Sequence, residues 1–310
     1  MLINHFIIGL TSITSMSHTS HDEYVNDFSK IVTIKGVDAK LYGLFSTLVN
    51  LNPASSGLMF SHILSHYMRN IKPLVPIAPR KRLVNPSSKV TYEVIESQES
   101  LRISKSDFEA IGDNIQFIFI NVNNLIFDKS INTEDIVKYV HGIHDSNVKV
   151  EGKVSRLILS AIDRSDMTML KGSNEQKDVT IRNVSVSIYE EFTALCHQES
   201  ITVGEGINKM LGIMVPHLEI VEIVKRLIDP TMGPPIIISL KHDLRITKDD
   251  LEDLGNRKLL LHRIDRVEFD NKIPLNLFTD TIFGIYNCTN VILPETIPKL
   301  LQLSKQKNFP

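Results

Sequence analysis

Val32-Thr33-Ile34-Lys35-Gly36-Val37 returns as Val179-Thr180-Ile181-Arg182-Asn183-Val184, 147 residues later. The offset holds without a gap through Tyr42/Tyr189, Phe45/Phe192, Leu48/Leu195, Gly57/Gly204 and Leu64/Leu211. Further on, Arg82-Leu83-Val84-Asn85-Pro86 returns as Arg226-Leu227-Ile228-Asp229-Pro230. Leu101-Arg102-Ile103-Ser104-Lys105 returns as Leu244-Arg245-Ile246-Thr247-Lys248. By Gly142-Ile143 and Gly284-Ile285 the offset has drifted only to 142, which a few loop deletions explain. A period this long is no solenoid unit but a two-part module written twice. Such a chain is expected to fold with an internal pseudo-twofold axis, as a homodimer does.

Each copy opens on strand, helix, turn, helix. Val32 and Ile34 alternate with Thr33 and Lys35, a period of two with one apolar face. Gly36 and its match Asn183 interrupt the pattern. Both residue types tolerate positive φ, so a bulge or a sharp exit is expected there. Asp38 and Ser185 suit the N-cap of a first helix. Leu41, Phe45 and Leu48 then follow at helical spacing, as do Ile188, Phe192 and Leu195. Asn52-Pro53 and Gln198-Glu199-Ser200 fall in the turn. Thr202-Val203-Gly204-Glu205 fits a capping box for the second helix, with Ser55 and Ser56 near the matching place. Phe60, Ile63, Leu64 and Tyr67 line one face of that helix, as do Ile207, Met210, Leu211 and Met214.

Asp178 to Arg182, Ile188 to Phe192 and Ile201 to Leu211 together resemble a ribbon-helix-helix DNA-binding domain. The resemblance covers about 38 residues per copy and is closer in the second. It implies a dimer-like arrangement in which one strand from each copy pairs antiparallel and the ribbon enters the major groove. It also implies base contacts from the outer face: Thr33, Lys35, Thr180 and Arg182. Arg can pair bidentately with guanine O6 and N7, and Thr can donate, accept or touch a methyl. Phosphate contacts would come from the start of the second helices, at Ser55, Ser56, Thr202 and Val203, where free N–H groups and the helix dipole favour an anion. Ile31 and Asp178, one outward step earlier, add little: an acid near phosphate weakens binding, and Ile reads little beyond a thymine methyl. The plainer reading stands beside this one. Strand-helix-helix units are common, and a duplicated pseudo-dimer can keep its scaffold without a DNA surface.

The second part of each copy is β-rich. Val90–Ile95 and Pro235–Leu240 read as strands, followed by short helices at Ser104–Ile111 and Thr247–Leu254, the latter with a second capping box. Gly112 and Gly255 sit at the helix stops. Apolar runs follow at Phe117–Val122, Asn124–Phe127, Leu259–Leu261 and Val267–Phe269. A helix at Thr133–Val140, a strand at Val148–Val150 and a helix near Val154–Ala161 complete the first unit. Strands alternating with short helices suggest a compact α/β domain, stacked in the manner of leucine-rich repeats. The expected fold class is therefore mixed α/β, with an N-terminal tail (1–24), ribbon units at 25–70 and 172–217, and α/β units at 71–165 and 218–310.

With 310 residues, 42% hydrophobic and 23% charged, the composition is that of a globular protein. A net charge of −2 argues against a protein coated in basic residues but leaves room for a local basic patch. Arg80-Lys81-Arg82 is such a cluster, read as a solvated linker or as a phosphate-contacting arm. Cys196 and Cys288 have no metal-like spacing and no counterparts in the first copy, which fits a reducing compartment. Phe6 to Leu10 is too short for a membrane span, no Lys or Arg precedes it, and Met16 is an alternative start. Asn183 and Asn287 would be glycan acceptors only in a secreted chain.

His62 and His66 stand at i, i+4, a zinc-capable spacing, but Lys209 and Ile213 replace them in the second copy and no third ligand is in view. They are read as an exposed or amphipathic helix face. His18/His21 and His141/His144 are read the same way. Asp107/Glu109 and Asp250/Glu252 recur as first-turn charges of a short helix. The phosphate-loop, dinucleotide-binding, nucleophile-elbow and Cys-x-x-Cys motifs are absent from the sequence. The expectation is a non-enzymatic protein without cofactor or metal, not membrane-bound, cytoplasmic or, in a eukaryote, nuclear. Its partner would be double-stranded DNA, with the α/β units available to a protein partner. The alternative is an interaction scaffold that has lost DNA binding.

Overall fold

The computed structural model describes residues 29–51, 55–68, 83–84, 91–111, 114–164, 169–227 and 235–308. Arg80-Lys81-Arg82, Asn52-Pro53, Gly112, His18/His21 and the start of the chain lie outside these residues. In chain order the elements begin with β1 (Ser29–Asp38), α1 (Ala39–Asn50) and α2 (Ser56–His66). Next come β2 (Leu83–Val84), β3 (Thr91–Glu96), β4 (Leu101–Ile103) and α3 (Lys105–Glu109). They are followed by β5 (Ile115–Ile120), β6 (Leu125–Phe127), α4 (Thr133–Tyr139), β7 (Val140–His144), β8 (Val148–Val150) and α5 (Arg156–Ile162). The chain then repeats the opening pattern as β9 (Gln176–Ser185), α6 (Val186–Gln198) and α7 (Val203–Leu227). It ends with β10 (Ile236–Ser239), β11 (Asp243–Ile246), α8 (Lys248–Glu252), β12 (Leu259–His262), β13 (Arg266–Phe269), α9 (Leu275–Thr281), β14 (Ile282–Tyr286), β15 (Asn290–Ile292), α10 (Lys299–Lys305) and β16 (Gln306–Lys307). The protein is mixed α/β and divides into two units.

The first unit spans Ile3–Ala78 and Met169–Leu227. Its sheet is two strands, β1 antiparallel to β9, with Thr33 opposite Thr180, Val32 opposite Ile181 and Ile34 opposite Val179. That register places an approximate twofold axis through the Thr33–Thr180 pair. One face is buried: Val32, Ile34 and Val37, with Val179, Ile181 and Val184. They rest on Leu41, Phe45, Phe60, Ile63 and Leu64 from one copy and on Ile188, Phe192, Ile207, Met210 and Leu211 from the other, all buried. Asp38 caps α1 by accepting the Leu41 N–H at 2.8 Å, and Ser185 caps α6 by accepting that of Ile188 at 3.3 Å.

Gly36 and Asn183 both take left-handed backbone, at φ 72° and 60°. Each is the extra residue of a β-bulge. Lys35 and Gly36 together oppose Asp178, and Arg182 and Asn183 together oppose Ile31. The ribbon continues beyond each bulge by two pairs.

Helix α7 runs on to Leu227, past the boundary expected at 217, although Pro216 lies inside it. Proline removes the N–H that would bond the Gly212 carbonyl. The Leu170 N–H takes that carbonyl instead, at 3.0 Å, so the interruption leaves no unsatisfied acceptor.

The second unit has as its main stretches Pro79–Thr168 and Ile228–Phe309. Where two small α/β units were expected, the two stretches share one hydrophobic core, from Ile103, Phe119 and Phe127 through Ile238, Leu261 and Phe269 to Ile285. Within each stretch a strand, a tight corner, a second strand and a helix form a coil, and successive coils stack their strands in parallel. The corner residues Ser97, Asn121 and Asp145, then Leu240, Arg263 and Asn287, all have positive φ and recur every 23 or 24 residues. Asn and Asp adopt that backbone readily, whereas Leu240 and Arg263 are held in it by the stacking. The two stretches are joined by Arg156, whose Nε donates to Asp250 at 2.9 Å, and by Lys241, whose Nζ donates to the Asp163 carbonyl at 2.8 Å. Strands β7 and β14 follow α4 and α9 without an intervening turn. Gly255 has φ 60° two residues past the C-cap Asp253 of α8.

Candidate functional site

The outer face of the ribbon follows from its period. With Val32, Ile34, Val179 and Ile181 turned into the core, Ile31, Thr33 and Lys35 of β1 and Asp178, Thr180 and Arg182 of β9 are all exposed. The threonines meet at the centre, Oγ1 to Oγ1 at 3.2 Å. Lys35 and Arg182 stand toward opposite ends. Neither has a hydrogen-bond or ion-pair partner among the described residues. Ile31 is 64% exposed, unusual for so large an apolar side chain.

The second helices start against the ribbon's bulges. A Cβ on Gly57 would lie 1.8 Å from the Arg182 carbonyl oxygen, and one on Gly204 would lie 2.1 Å from that of Lys35. Only glycine permits this approach. It brings Ser55 and Ser56 beside the Arg182 end and Thr202 and Val203 beside the Lys35 end. A second pair of cross-copy contacts holds the junction. Asn208 Oδ1 accepts the Asp38 N–H at 2.8 Å, and its matched residue Ser61 accepts the Ser185 N–H through Oγ at 2.9 Å. At the flanks Lys30 Nζ lies 5.1 Å from the Tyr189 ring centre and Lys177 Nζ 4.9 Å from that of Tyr42. Of these residues Ser61/Asn208 and Lys30/Lys177 were not singled out from the sequence, yet each pair lies at the 147-residue offset, which is the signal that would have found them.

The two helix starts differ. Ser55 is exposed, its Oγ accepts the Leu58 N–H at 3.3 Å, and the first turn of α2 holds no acid. Thr202 is also exposed, but its N–H and hydroxyl both donate to Glu205 Oε2, at 2.7 and 2.9 Å. Those hydrogen bonds, the backbone one first, hold the Glu205 carboxyl below the usual range, so a charged carboxylate sits at the start of α7. Val203 is half-buried. Across the described residues of this unit Lys and Arg equal Asp and Glu in number, nine of each.

The remaining candidates fall into place outside the ribbon. His62 and His66 are half-buried; of the two expected placements, a solvent-facing or an amphipathic helix face, the structure shows the second. Burial pushes His66 down to about 3, with the nearby His62 and His217 adding to the shift, and burial also lowers His62. Their helix packs inside the unit, a placement that single-helix periodicity does not reveal. His141 is buried in β7 and its Nδ1 lies 3.2 Å from Gln116 Oε1. Among the described residues no group of three or more His, Cys, Asp or Glu side chains is placed to hold a metal ion. Asp107 and Asp250 are first-turn capping carboxylates, accepting the N–H of Ser104 and Thr247 at 2.7 and 2.8 Å. Cys196 and Cys288 are free thiols, and burial raises Cys288 to about 11. No helix of the described residues is long and apolar enough to cross a membrane. Comparison with family models, with curated proteins and with solved structures finds no match.

Proposed function

We propose that the chain is a duplicated ribbon-helix-helix pair closed within one polypeptide, joined to leucine-rich-repeat-like coils. Its function on this reading is sequence-selective binding of double-stranded DNA, as a transcriptional or replicon regulator. The observation that carries it is the ribbon's outer row. Thr33, Lys35, Thr180 and Arg182 project from a narrow two-stranded element whose other face is core. Two antiparallel strands fit a major groove roughly 12 Å wide, and these residue types match base edges there. Lys35 and Arg182 make no competing contact among the described residues, so neither needs to break one to reach a base. The exposed start of α2 at Ser55 and Ser56 supplies a flanking phosphate position.

One observation favours the second reading, a scaffold for a protein partner. The balanced charge of the ribbon unit gives little long-range attraction for a polyanion. Fluorescence anisotropy with labelled duplex pools at two salt concentrations separates the readings. The DNA reading expects binding that falls steeply with salt, because phosphate contacts release counterions. It also expects Lys35→Ala/Arg182→Ala to abolish selectivity among sequences. No binding by the wild-type protein at low salt, or identical binding by the double variant, assigns the ribbon to the scaffold role.

A further inference from the structure

The two ends of the ribbon are equivalent in backbone and unequal in chemistry. Under the 147-residue offset Lys35 matches Arg182, but Ile31 matches Asp178 and Leu58 matches Glu205. The register decides which of these share an end. Asp178 lies across from Lys35 and Gly36, and Ile31 lies across from Arg182 and Asn183. The glycine contacts decide the rest: α7, carrying Glu205, starts on the Lys35–Gly36 carbonyls, and α2 starts on those of Arg182 and Asn183.

One end therefore gathers Lys35, Asp178 and Glu205. The other gathers Arg182, Ile31 and an acid-free helix start. Flanking groups level the net charge of the two ends, so the difference lies in the outer row and in the helix start. At the first end Lys177 lies over Tyr42, and Lys209 is near enough to Glu205 to help hold it charged. At the second, Lys30 is paired with Glu190 at 3.2 Å. Arg182 is left as the unopposed charge of its end of the outer row, and Lys35 faces a carboxylate on the neighbouring strand.

Resting on the nucleic-acid reading above, we propose that the ribbon reads a single half-site. Arg182 and Ile31 make the specific contacts and the Lys35 end is held off the duplex by its own acids. The recognised feature is then a guanine, read by the guanidinium at O6 and N7, with a thymine methyl alongside it against Ile31. Asp178 and Glu205 act as determinants of asymmetry. An acid opposite phosphate repels it, and a carboxylate already seated on the Thr202 N–H occupies the place a phosphate oxygen would take.

The test is selection of duplexes from a random pool by the wild-type chain, then anisotropy with the selected sequence. The selected motif is expected to lack a dyad. Arg182→Ala is expected to weaken binding at least about tenfold, and Lys35→Ala under about threefold. Asp178→Asn/Glu205→Gln is expected to strengthen binding several-fold and to steepen its salt dependence, by admitting a further phosphate contact. Thermal melts confirm that each variant is folded. A palindromic motif, or equal losses for Lys35→Ala and Arg182→Ala, overturns the half-site proposal and leaves the DNA reading standing. No duplex binding by the wild type at low salt overturns both.

Discussion

Gly57→Ala and Gly204→Ala place one methyl group where the structure has backbone. The nearest atom to the added Cβ is the Arg182 carbonyl oxygen at 1.8 Å in one case and the Lys35 carbonyl oxygen at 2.1 Å in the other. Side-chain carbons do not approach within 3.0 Å of such atoms, so the start of α2 would have to retreat by about 1.2 Å. Neither neighbour can yield easily. The Arg182–Asn183 and Lys35–Gly36 carbonyls belong to bulges of a two-stranded ribbon pinned by Ser61 and Asn208. Alanine gains up to about 1 kcal/mol over glycine from helix propensity, and less at a helix start. Overpacking costs about 1–3 kcal/mol when the neighbour moves, so each variant is expected to lose about 2 kcal/mol net. Gly43→Ala is the internal control. Gly43 lies mid-helix in α1 with nothing within 4 Å of an added Cβ, so the substitution is expected to stabilise by about 0.5–1 kcal/mol. Urea unfolding followed by far-UV circular dichroism reads all three. If Gly57→Ala and Gly204→Ala are as benign as Gly43→Ala, the second helices do not start on the opposite strand's bulge, and the cross-copy assembly is wrong.

Phe45→Ala and Phe192→Ala each empty a buried position of the first helices, and each is expected to cost about 3–5 kcal/mol in the same urea experiment. Near-wild-type midpoints for both would contradict the packing register. Acid stability tests the buried histidines. His66 stays neutral in the folded protein down to about pH 3, whereas in the unfolded chain it takes up a proton near 6.5. The unfolded state therefore binds more protons between those values, and stability falls as pH drops through that window, by up to about 1.4 kcal/mol per pH unit. His66→Gln should flatten the fall between pH 6.5 and 4.5; an unchanged slope means that His66 is not the group responsible.

The ribbon unit was legible because its determinants are local and stated twice. Alternation at Val32–Lys35 sets which face is buried, and Gly36/Asn183 mark the bulge because few other residues tolerate φ near 60–70°. Asp38, Ser185 and Thr202 cap as their side-chain chemistry dictates. What escaped is non-local. Val140-His141-Gly142-Ile143-His144 lacks alternation and emerges from α4 with no turn residue, so only its parallel neighbour β5 makes it a strand. The two α/β stretches share a core flanked by Arg156 meeting Asp250 and Lys241 meeting the Asp163 carbonyl, across 94 and 78 residues, which no local pattern encodes. Pro216 reads as a helix stop, and it is not one because Leu170, far away in sequence, satisfies the freed carbonyl. For the candidate site, the outward row was visible in the period of the strand. Which residues share an end was not, because the bulges shift the register and a different copy's helix starts on each.

The pattern of agreement between the copies bears on how the ribbon is used. At several positions that geometry dictates the two copies carry the same residue: Val32/Val179, Ile34/Ile181, Phe45/Phe192, Gly57/Gly204 and the lysine–tyrosine pairs at the flanks. These positions close the core or allow backbones to touch, and a change there costs stability whatever the protein binds. Buried matches such as Phe60/Ile207 and Ile63/Met210 exchange one apolar residue for another, whereas at two exposed positions the chemistry itself changes: Ile31 against Asp178, Leu58 against Glu205. A symmetric ligand gripped by both halves would favour matching residues there, since each half would face the same chemistry. When both halves lie in one chain each can change alone, which removes that constraint. In the outer row and at the second-helix starts the acids lie at the Lys35 end, while at the other end Glu190 pairs with the flanking Lys30. On the proposed DNA reading, that placement favours an asymmetric site met mainly through the Arg182 end over a palindrome read by two equal halves. Asp178 and Glu205 are the positions where removing a charge tests that reading, and because Glu205 also caps α7 through Thr202 its variant is paired with a melt.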